Sequence, residues 1–343
     1  MANTLLQQYF PLIRTREEIL KIIHKNKRLL SIYRSWNVFQ QRNFLDFCTG
    51  ARGVKILYDS FFKSIFNPDI FPQRLETLLS LLLQQNVTIV QVLPNNDTRL
   101  TDENSLLILD ILVELQDGSL ANIECQKIGY DFPGERCACY SADLLLRQYI
   151  RIRSAKSESQ QKFTYRDVKS VYTIVFLEKS TLAFHQFPTD YVHHFRQTSD
   201  TGLELNMLQE FVIISLDNFA RIRQNKDVNT FNQLEAWMTF LSTDEPEVII
   251  ELITHFPEFK PLYEDIYDLC LNIEQVIHMY SKELQQLDTN TVHFMMEQMQ
   301  ASLAASQAEI VAKDNVIAAK DSEIAAKDIQ IAELKRRLAL RRK

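Results

Sequence analysis

Residues 106–127 read LLILDILVELQDGSLANIECQK, and the fold prediction starts from this stretch. Two largely apolar runs flank Gln116-Asp117-Gly118, which predicts two antiparallel strands joined by a tight turn. Asp110 lies inside the first run, where a buried carboxylate without a partner costs several kcal/mol. We therefore expect Asp110 to have a partner, a metal ion or access to solvent.

The length of the turn decides which side chains share a face of this hairpin. If the loop has two residues, Asp110 lies opposite Cys125, and Glu124 points to the other face. If the loop spans residues 116–118 and Gly118 takes the left-handed conformation, Asp110 lies directly opposite Glu124.

The longer loop is favoured because it divides the hairpin into a mostly polar face and a wholly apolar face. The polar face then carries Asp110, Leu112, Glu114, Asn122, Glu124 and Gln126. The apolar face carries Ile111, Val113, Leu115, Ala121, Ile123 and Cys125. We expect the apolar face to pack on a helix and the polar face to line a cleft.

Opposed carboxylates at Asp110 and Glu124 repel each other unless a divalent cation or a shared proton stabilises them. Oxygen ligands favour Mg²⁺ or Mn²⁺, and such an ion can polarise a phosphoryl oxygen and activate water. Gln126 reaches the same site but carries no charge. Two alternatives are an ordinary hairpin with surface acids and a carboxylate pair for glycoside hydrolysis, although the aromatic-rich loops expected of a sugar cleft are missing.

The segments on either side of the hairpin are predicted to be helices with charged faces. Asp59 and Lys63 lie one helical turn apart on the first. Arg136, Tyr140 and Arg147 share a face of the second, where the arginines can hold phosphates and the tyrosine can stack or donate a hydrogen bond. The alternative is that this face of the second helix is simply exposed to solvent, with a salt bridge inside the helix that involves Asp143.

The rest of the chain predicts an α/β domain followed by helices. Predicted helices cover 15–50, 54–66, 72–85 and 135–153, and a polar connection covers 154–169. Further strands are predicted at 87–93, 171–177 and 211–216, whereas His193-His194 is interpreted as the end of a polar segment. Residues 230–300 are predicted to be helical.

Composition excludes several classes of protein. The six glycines form neither GxxxxGK[ST] nor GxGxxG, and the five cysteines form no CxxC pair. The net charge of −6 argues against coating nucleic acid by bulk charge, although a local basic groove can coexist with it. Neither a membrane-spanning run nor a signal peptide is recognisable, so we expect a cytoplasmic protein without a membrane partner.

The C-terminal tail repeats every seven residues. One stripe carries Ile310, Ile317, Ile324, Ile331 and Leu338. A stable coiled coil needs two apolar positions per heptad, and here the companion positions are mostly Lys or Asp. We therefore predict a long C-terminal helix that is solvated or pairs weakly, which leaves a homo-oligomer through residues 300–343 open.

Three blocks of the chain carry a family resemblance. FLDFCTGARGVKILYDSFFKSIFNP (44–68), the stretch 106–149 and FTYRDVKSVYTIVFLEKS (163–180) resemble the PD-(D/E)xK nuclease family transposases, also described as recombination-promoting nucleases. The resemblance implies a restriction-endonuclease-like core, in which helices flank a central mixed sheet. It also implies Mg²⁺-dependent cleavage of DNA phosphodiester bonds in a bacterial cytoplasm.

The resemblance also implies roles for individual residues. Asp110 matches the acid of the second family motif, and Glu124-Cys125-Gln126 matches ExK in its ExQ form. Asp59 and Lys63 match a DxxFK block, and Arg136 and Tyr140 match the R…Y positions of the next helix. Gln126 can replace the lysine of ExK only as a dipole, so another lysine must supply the missing charge. Lys127 could do so through a local twist of the strand, but we favour Lys63.

Together these observations predict a metal-dependent DNA endonuclease in which Asp110 and Glu124 bind Mg²⁺ or Mn²⁺. The predicted parts are a helical segment at 1–50, the nuclease core at 51–220, a helical region at 221–300 and the tail at 301–343. The alternative is a weak or inactive nuclease fold that acts as a DNA-binding or oligomeric interaction module.

Overall fold

The computed structural model describes residues 3–93, 111–126 and 133–285, with isolated helical positions between 299 and 331. Asp110 and the start of its predicted strand lie outside the described residues. The chain divides into two compact units, Met1–Leu287 and Asp288–Lys343. Subdivision of the first unit at residues 50 and 220 stays a prediction.

In the second unit, the described positions are helical and exposed. They include Ile310, Ile317, Ile324 and Ile331 of the seven-residue stripe. Pairing of two chains through this stripe stays a prediction.

The first unit is built around one mixed sheet of six strands. The strands are β1 (Ile89–Val92), β2 (Ile111–Leu115), β3 (Leu120–Gln126), β4 (Val171–Leu177), β5 (Val192–Phe195) and β6 (Gln209–Ser215). Their order across the sheet is β1-β2-β3-β4-β6-β5. The central pairs β3–β4 and β4–β6 are parallel, and the outer pairs β1–β2, β2–β3 and β5–β6 are antiparallel.

Helices cover both faces of this sheet. Among the described residues, the helices before the hairpin are α1 (Leu5–Tyr9), α2 (Arg16–Lys25), α3 (Lys27–Ser35), α4 (Val38–Cys48), α5 (Asp59–Ile65) and α6 (Pro72–Leu83). The helices after it include α7 (Pro133–Glu158), α8 (Leu182–His185), α9 (Leu216–Arg223), α10 (Gln233–Ser242), α11 (Pro246–His255) and α12 (Lys260–Leu271). Residues 273–285 are also helical, and no helix within the described ranges is both long and apolar enough to cross a membrane.

The three-residue loop predicted for the hairpin is confirmed. Leu115 N donates to Ser119 O at 2.9 Å, and Gly118 N donates to Leu115 O at 2.9 Å. Gly118 has a φ of +85°, the left-handed region that glycine enters without steric cost. The resulting register pairs Ile111 with Ile123 and Val113 with Ala121.

This register separates the two faces of the hairpin as predicted. Ile111, Val113, Leu115, Ala121 and Ile123 belong to the main hydrophobic core, and Cys125 packs against it. The helices α4, α5, α6 and α10 contribute to the same core.

The opposite face is not the open cleft that the sequence suggested. Leu112 and Leu120 on that face form a second apolar cluster with Tyr140 and Leu144 of α7. These two leucines give the polar face enough apolar surface to bury a helix against it. The polar side chains of the hairpin therefore lie under α7.

Helix α5 begins later than the predicted range 54–66. Residues 53–58 are irregular, and the helix starts at Asp59. Gly53 N donates to Asp244 O at 2.7 Å, and a Cβ on Gly53 would lie 2.4 Å from Ile249 Cδ1. This close approach to the α10–α11 connection fixes residue 53 outside a helix, and no side-chain periodicity signals it.

Strand β5 is absent from the sequence prediction, which treated His193-His194 as the end of a polar segment. Instead, His193 pairs with Ile213 and His194 with Val212 at the edge of the sheet. Burial lowers the pKa of both histidines. The strand has four residues and two are polar, so its alternation signal is weak.

The turn geometry predicts the effect of adding a side chain at Gly118. Gly118→Ala places a Cβ at positive φ, so we expect the free energy of unfolding to fall by about 1–2 kcal/mol. Denaturant unfolding monitored by circular dichroism measures this change. Gly134→Ala is the matched control, because an added Cβ there meets nothing within 4 Å. Equal stability of both variants would contradict the assigned turn.

Candidate active site

The candidate site lies on β3, a central strand of the sheet. Asn122, Glu124 and Gln126 alternate along β3 and point towards the α7 side. All three are buried, and the exposed fraction of Glu124 is 4%. A buried carboxylate needs compensating partners, so the surroundings of Glu124 define the chemistry of the site.

Among the described residues, Gln126 and Arg136 contact the carboxylate of Glu124. Gln126 Nε2 donates a hydrogen bond to Glu124 Oε1 at 3.0 Å. The guanidinium of Arg136, on the first turn of α7, lies 3.5 Å from the same oxygen. The structure thus brings together three of the residues predicted from sequence, and Gln126 orients Glu124 directly.

The amide oxygen of Gln126 has a different environment. This Oε1 atom is buried, and no described residue donates a hydrogen bond to it. A buried acceptor beside a buried carboxylate forms an oxygen-rich donor set, which fits a hard divalent cation or a water bound to one. Among the described residues alone, no group of three or more His, Cys, Asp or Glu side chains could hold a metal ion. Asp110, the predicted second ligand, lies outside those residues.

A strip of buried polar atoms continues from this site along the sheet. Asn122 pairs in register with Thr173 of β4, and both side chains are fully buried. Within the described part of the chain, neither the amide of Asn122 nor the hydroxyl of Thr173 has a hydrogen-bond partner. Such groups are usually satisfied by ordered water. The sequence placed Asn122 on the polar face but did not predict that the strip extends to Thr173.

Cys137 is a neighbour of Glu124 that sequence reasoning missed. Burial, together with the negative charge of Glu124, raises the pKa of the Cys137 thiol to about 12, although Arg136 opposes the shift. Cys137 belongs to a third apolar cluster with Val175 and Leu177. Cys137 therefore contributes a neutral, apolar surface beside the carboxylate of Glu124. The only sequence signal is its position, one residue after Arg136.

Arg136 and Tyr140 form one unit on α7. The guanidinium carbon of Arg136 lies 5.2 Å from the centre of the Tyr140 ring, within the range of a cation–π contact. The exposed fraction of Tyr140 is 1% because the ring packs among Leu112, Leu120 and Leu144. The Tyr140 ring therefore packs against the guanidinium of Arg136 from the sheet side. Stacking of this ring on DNA, which the sequence analysis considered, would require the ring to become exposed.

Arg147 lies further along α7. Its Nε donates to the buried carboxylate of Asp143 at 2.7 Å, which is the internal salt bridge considered as an alternative from the sequence. Arg147 follows Arg136 by eleven residues, or about 16 Å along the helix axis. It is therefore displaced along α7 from Glu124, and its contact with DNA stays a prediction.

Asp59 and Lys63 form a second charged pair, on α5. Lys63 Nζ lies 2.6 Å from Asp59 Oδ1, and Lys282 Nζ lies 3.8 Å from the other carboxylate oxygen. Phe62 of the same helix packs against Phe176 on the core side of the sheet. The pair is thus carried by an element on the other face from α7, and its role at the site stays a prediction.

Two sets of polar contacts hold α7 over the site. Gln148 is fully buried and bridges the hairpin turn, because its Nε2 donates to Gly118 O at 3.0 Å and its Oε1 accepts from Lys169 N at 2.9 Å. Arg151 makes two charge-assisted hydrogen bonds to Glu114 of β2, at 2.5 and 2.7 Å. Gln91 of β1 also contacts Glu114.

The fold and this site define a class of protein. A six-stranded mixed sheet flanked by helices, with the ExQ motif on a central strand, is a restriction-endonuclease-like α/β fold. The model of the PD-(D/E)XK nuclease family transposases matches residues 56–293. The chain belongs to this family, and the resemblance noted in the sequence is confirmed. No curated protein and no solved structure matches the chain.

The contact between Glu114 and Arg151 predicts a pH dependence of stability. The hydrogen bond from Arg151 lowers the pKa of Glu114, against a smaller opposing effect of burial. The ionised carboxylate therefore stabilises the fold above the unfolded-state pKa of about 4.3, and this stabilisation is lost as the pH falls through the lower folded-state pKa.

Glu114→Gln should remove this contribution. We expect the wild type to lose stability more steeply than the variant as the pH falls below about 5. Urea unfolding at a series of pH values measures the difference. Glu158→Gln, which changes an exposed carboxylate at the end of α7, is the control. Parallel pH profiles of wild type and Glu114→Gln would contradict the assignment.

Proposed function

We propose that this protein is a metal-dependent DNA endonuclease that hydrolyses phosphodiester bonds with Mg²⁺ or Mn²⁺. The observation that carries the proposal is the buried carboxylate of Glu124 on the central strand β3. Gln126 orients this carboxylate through a hydrogen bond, and Arg136 of α7 lies beside it. Membership of a nuclease family supports the same chemistry.

Asp110 and Glu124 are proposed as the metal ligands. The register of β2 and β3 pairs Ile111 with Ile123, and its continuation by one residue would pair Asp110 with Glu124. Two opposed carboxylates and the amide oxygen of Gln126 are the ligand types that Mg²⁺ and Mn²⁺ favour. When bound, the ion would supply Lewis-acid polarisation of a phosphoryl oxygen and a more acidic water.

The surrounding side chains are proposed to position and neutralise the phosphate. The hydrogen bond from Gln126 holds Glu124 in one orientation, so the carboxylate is preorganised before DNA arrives. The Arg136 side chain is 36% exposed and can contact a phosphate while it remains over Tyr140. Arg147 is proposed to contact the DNA backbone further along α7.

Lys63 is proposed to supply the positive charge that Gln126 lacks. The ammonium group of Lys63 is held by Asp59, the proposed auxiliary acid, which restricts its position. In this arrangement the lysine comes from α5, on the other face of the sheet from α7, instead of from the strand, so its charge would act on the site from the opposite side of β3. We also propose that the enzyme is cytoplasmic and related to the nucleases of mobile-element recombination. We do not propose that it joins DNA ends.

Cleavage of supercoiled plasmid tests the proposed ligands. We expect Mg²⁺-dependent nicking by the wild type, and a fall in rate of about 100-fold or more in Asp110→Asn and Glu124→Gln, because each substitution removes a charged metal ligand. Asp200→Asn is the matched control, because Asp200 is an exposed carboxylate in a turn. Equal nicking by the two site variants and the control would overturn the proposal.

The same assay separates the roles of two paired lysines. Lys63 pairs with Asp59 at 2.6 Å, and Lys55 pairs with Glu178 at 2.9 Å. Lys63→Gln should lower the cleavage rate, whereas Lys55→Gln should change it little. Absence of nicking by the wild type with either metal would favour the alternative of an inactive DNA-binding or interaction module.

A further inference from the structure

Three aromatic side chains form a cluster at the C-terminal half of α7. Tyr149 lies on α7, and Phe163 and Tyr165 lie on the segment that follows it. The ring centroids of Tyr149 and Tyr165 are 6.2 Å apart, and the ring planes are nearly parallel at 13°. Phe163 contacts both rings edge-on, at 5.4 and 5.6 Å. We name these three residues the aromatic platform.

Tyr165 is the exposed member of the platform. Its exposed fraction is 79%, which is high for a large aromatic residue already in contact with two other rings. Contacts of Asp167 hold the backbone next to Tyr165 in place. The Asp167 carboxylate accepts a hydrogen bond from Thr164 N at 2.8 Å and forms an ion pair with Lys156 of α7 at 3.4 Å. An aromatic surface held in place loses little conformational entropy when a ligand covers it.

The surroundings of the platform are basic, in contrast to the chain as a whole. Residues 151–169 contain six Lys or Arg and two Asp or Glu, so this segment has a net charge of +4 in a chain of net charge −6. Arg153, Lys162, Arg166 and Lys169 are exposed. Arg153 also donates to the Tyr149 hydroxyl at 2.7 Å, which places a guanidinium at the rim of the platform.

We propose that the aromatic platform binds unpaired nucleotides of a DNA strand. An exposed ring can stack on the face of any unpaired base, and the surrounding cations can pair with the phosphates. In a duplex, the base faces are covered by neighbouring base pairs, so the platform selects single-stranded segments. The assignment of DNA as the ligand rests on the proposed function.

The platform is a separate contact from the candidate active site. Tyr149 follows Arg136 by thirteen residues, or about 20 Å along the helix axis, and lies on a different side of the helix. Tyr149 is also on the side opposite Tyr140, which packs against the sheet. Variants of the platform therefore leave the surroundings of Glu124 unchanged.

Fluorescence anisotropy tests the proposal without cleavage. A labelled 20-nucleotide single strand and the duplex of the same sequence are titrated with full-length protein in EDTA, so that no divalent metal is present. Tyr165→Ala should weaken single-strand binding roughly tenfold, which corresponds to the loss of about one stacked base, and should change duplex binding less than twofold. Tyr165→Phe retains the ring and should bind as the wild type does.

Two controls separate stacking from loss of structure. Phe39→Ala removes an aromatic residue that is 71% exposed on α4 and should leave binding unchanged. An unchanged melting temperature of Tyr165→Ala shows that the fold is intact. Arg166→Gln should instead reduce the slope of log K against log salt for the single strand by about 0.7.

The outcomes distinguish this proposal from the proposed function. Glu124→Gln should lower the cleavage rate about 100-fold or more without weakening single-strand binding. If Tyr165→Ala weakened single-strand and duplex binding to the same extent, the stacking role of Tyr165 would be overturned. If the wild type bound duplex DNA but not the single strand, the proposed role of the aromatic platform would be overturned, while the nuclease proposal would stand. Tyr165-dependent binding to anionic lipid vesicles, with oligonucleotide binding unchanged, would assign the surface to a membrane and overturn the proposal.

Discussion

The left-handed turn at Gly118 is the constraint on which the site depends. Because side chains alternate along a strand, a shift of one residue in the pairing of β2 with β3 would exchange the two faces of the hairpin. The three-residue loop fixes the pairing that sends Ile111, Val113 and Ile123 into the core. The same pairing sends Glu124 and Gln126 to the other side. One backbone conformation thus determines both the packing of the sheet and the position of the acidic motif.

Helix α7 turns this polar face into a protected site. It packs on Leu112 and Leu120, and the buried Gln148 ties it to the turn itself, so the turn sets the position of the helix as well as the register. Under this cover the exposed fraction of Glu124 is 4%, and in the lower dielectric of a buried site each charge has a stronger effect. Arg136 and Gln126 compensate the carboxylate.

Alternation and turn chemistry made the hairpin predictable from sequence, because both are local properties of consecutive residues. The order of the predicted helices and strands indicated the α/β class, and the family resemblance supplied the restriction-endonuclease-like arrangement of helices around a mixed sheet. Strand β5 escaped prediction because an edge strand containing His193 and His194 lacks an apolar pattern. The late start of α5 follows from the approach of Gly53 to Asp244, and the burial of Tyr140 follows from α7 docking on the sheet. Such contacts join residues far apart in sequence, so inspection of either segment alone does not reveal them.

Metal binding tests the central claim most directly, because it does not require the DNA substrate to be known. Mn²⁺ is titrated into wild type, Glu124→Gln and Asp200→Asn, and unfolding is followed for each against its own metal-free reference. A single site predicts stabilisation of about 2.7 kcal/mol at a hundredfold excess over Kd in the wild type and in Asp200→Asn, and little in Glu124→Gln. No stabilisation of the wild type, or equal stabilisation of all three proteins, would contradict a metal site at Glu124.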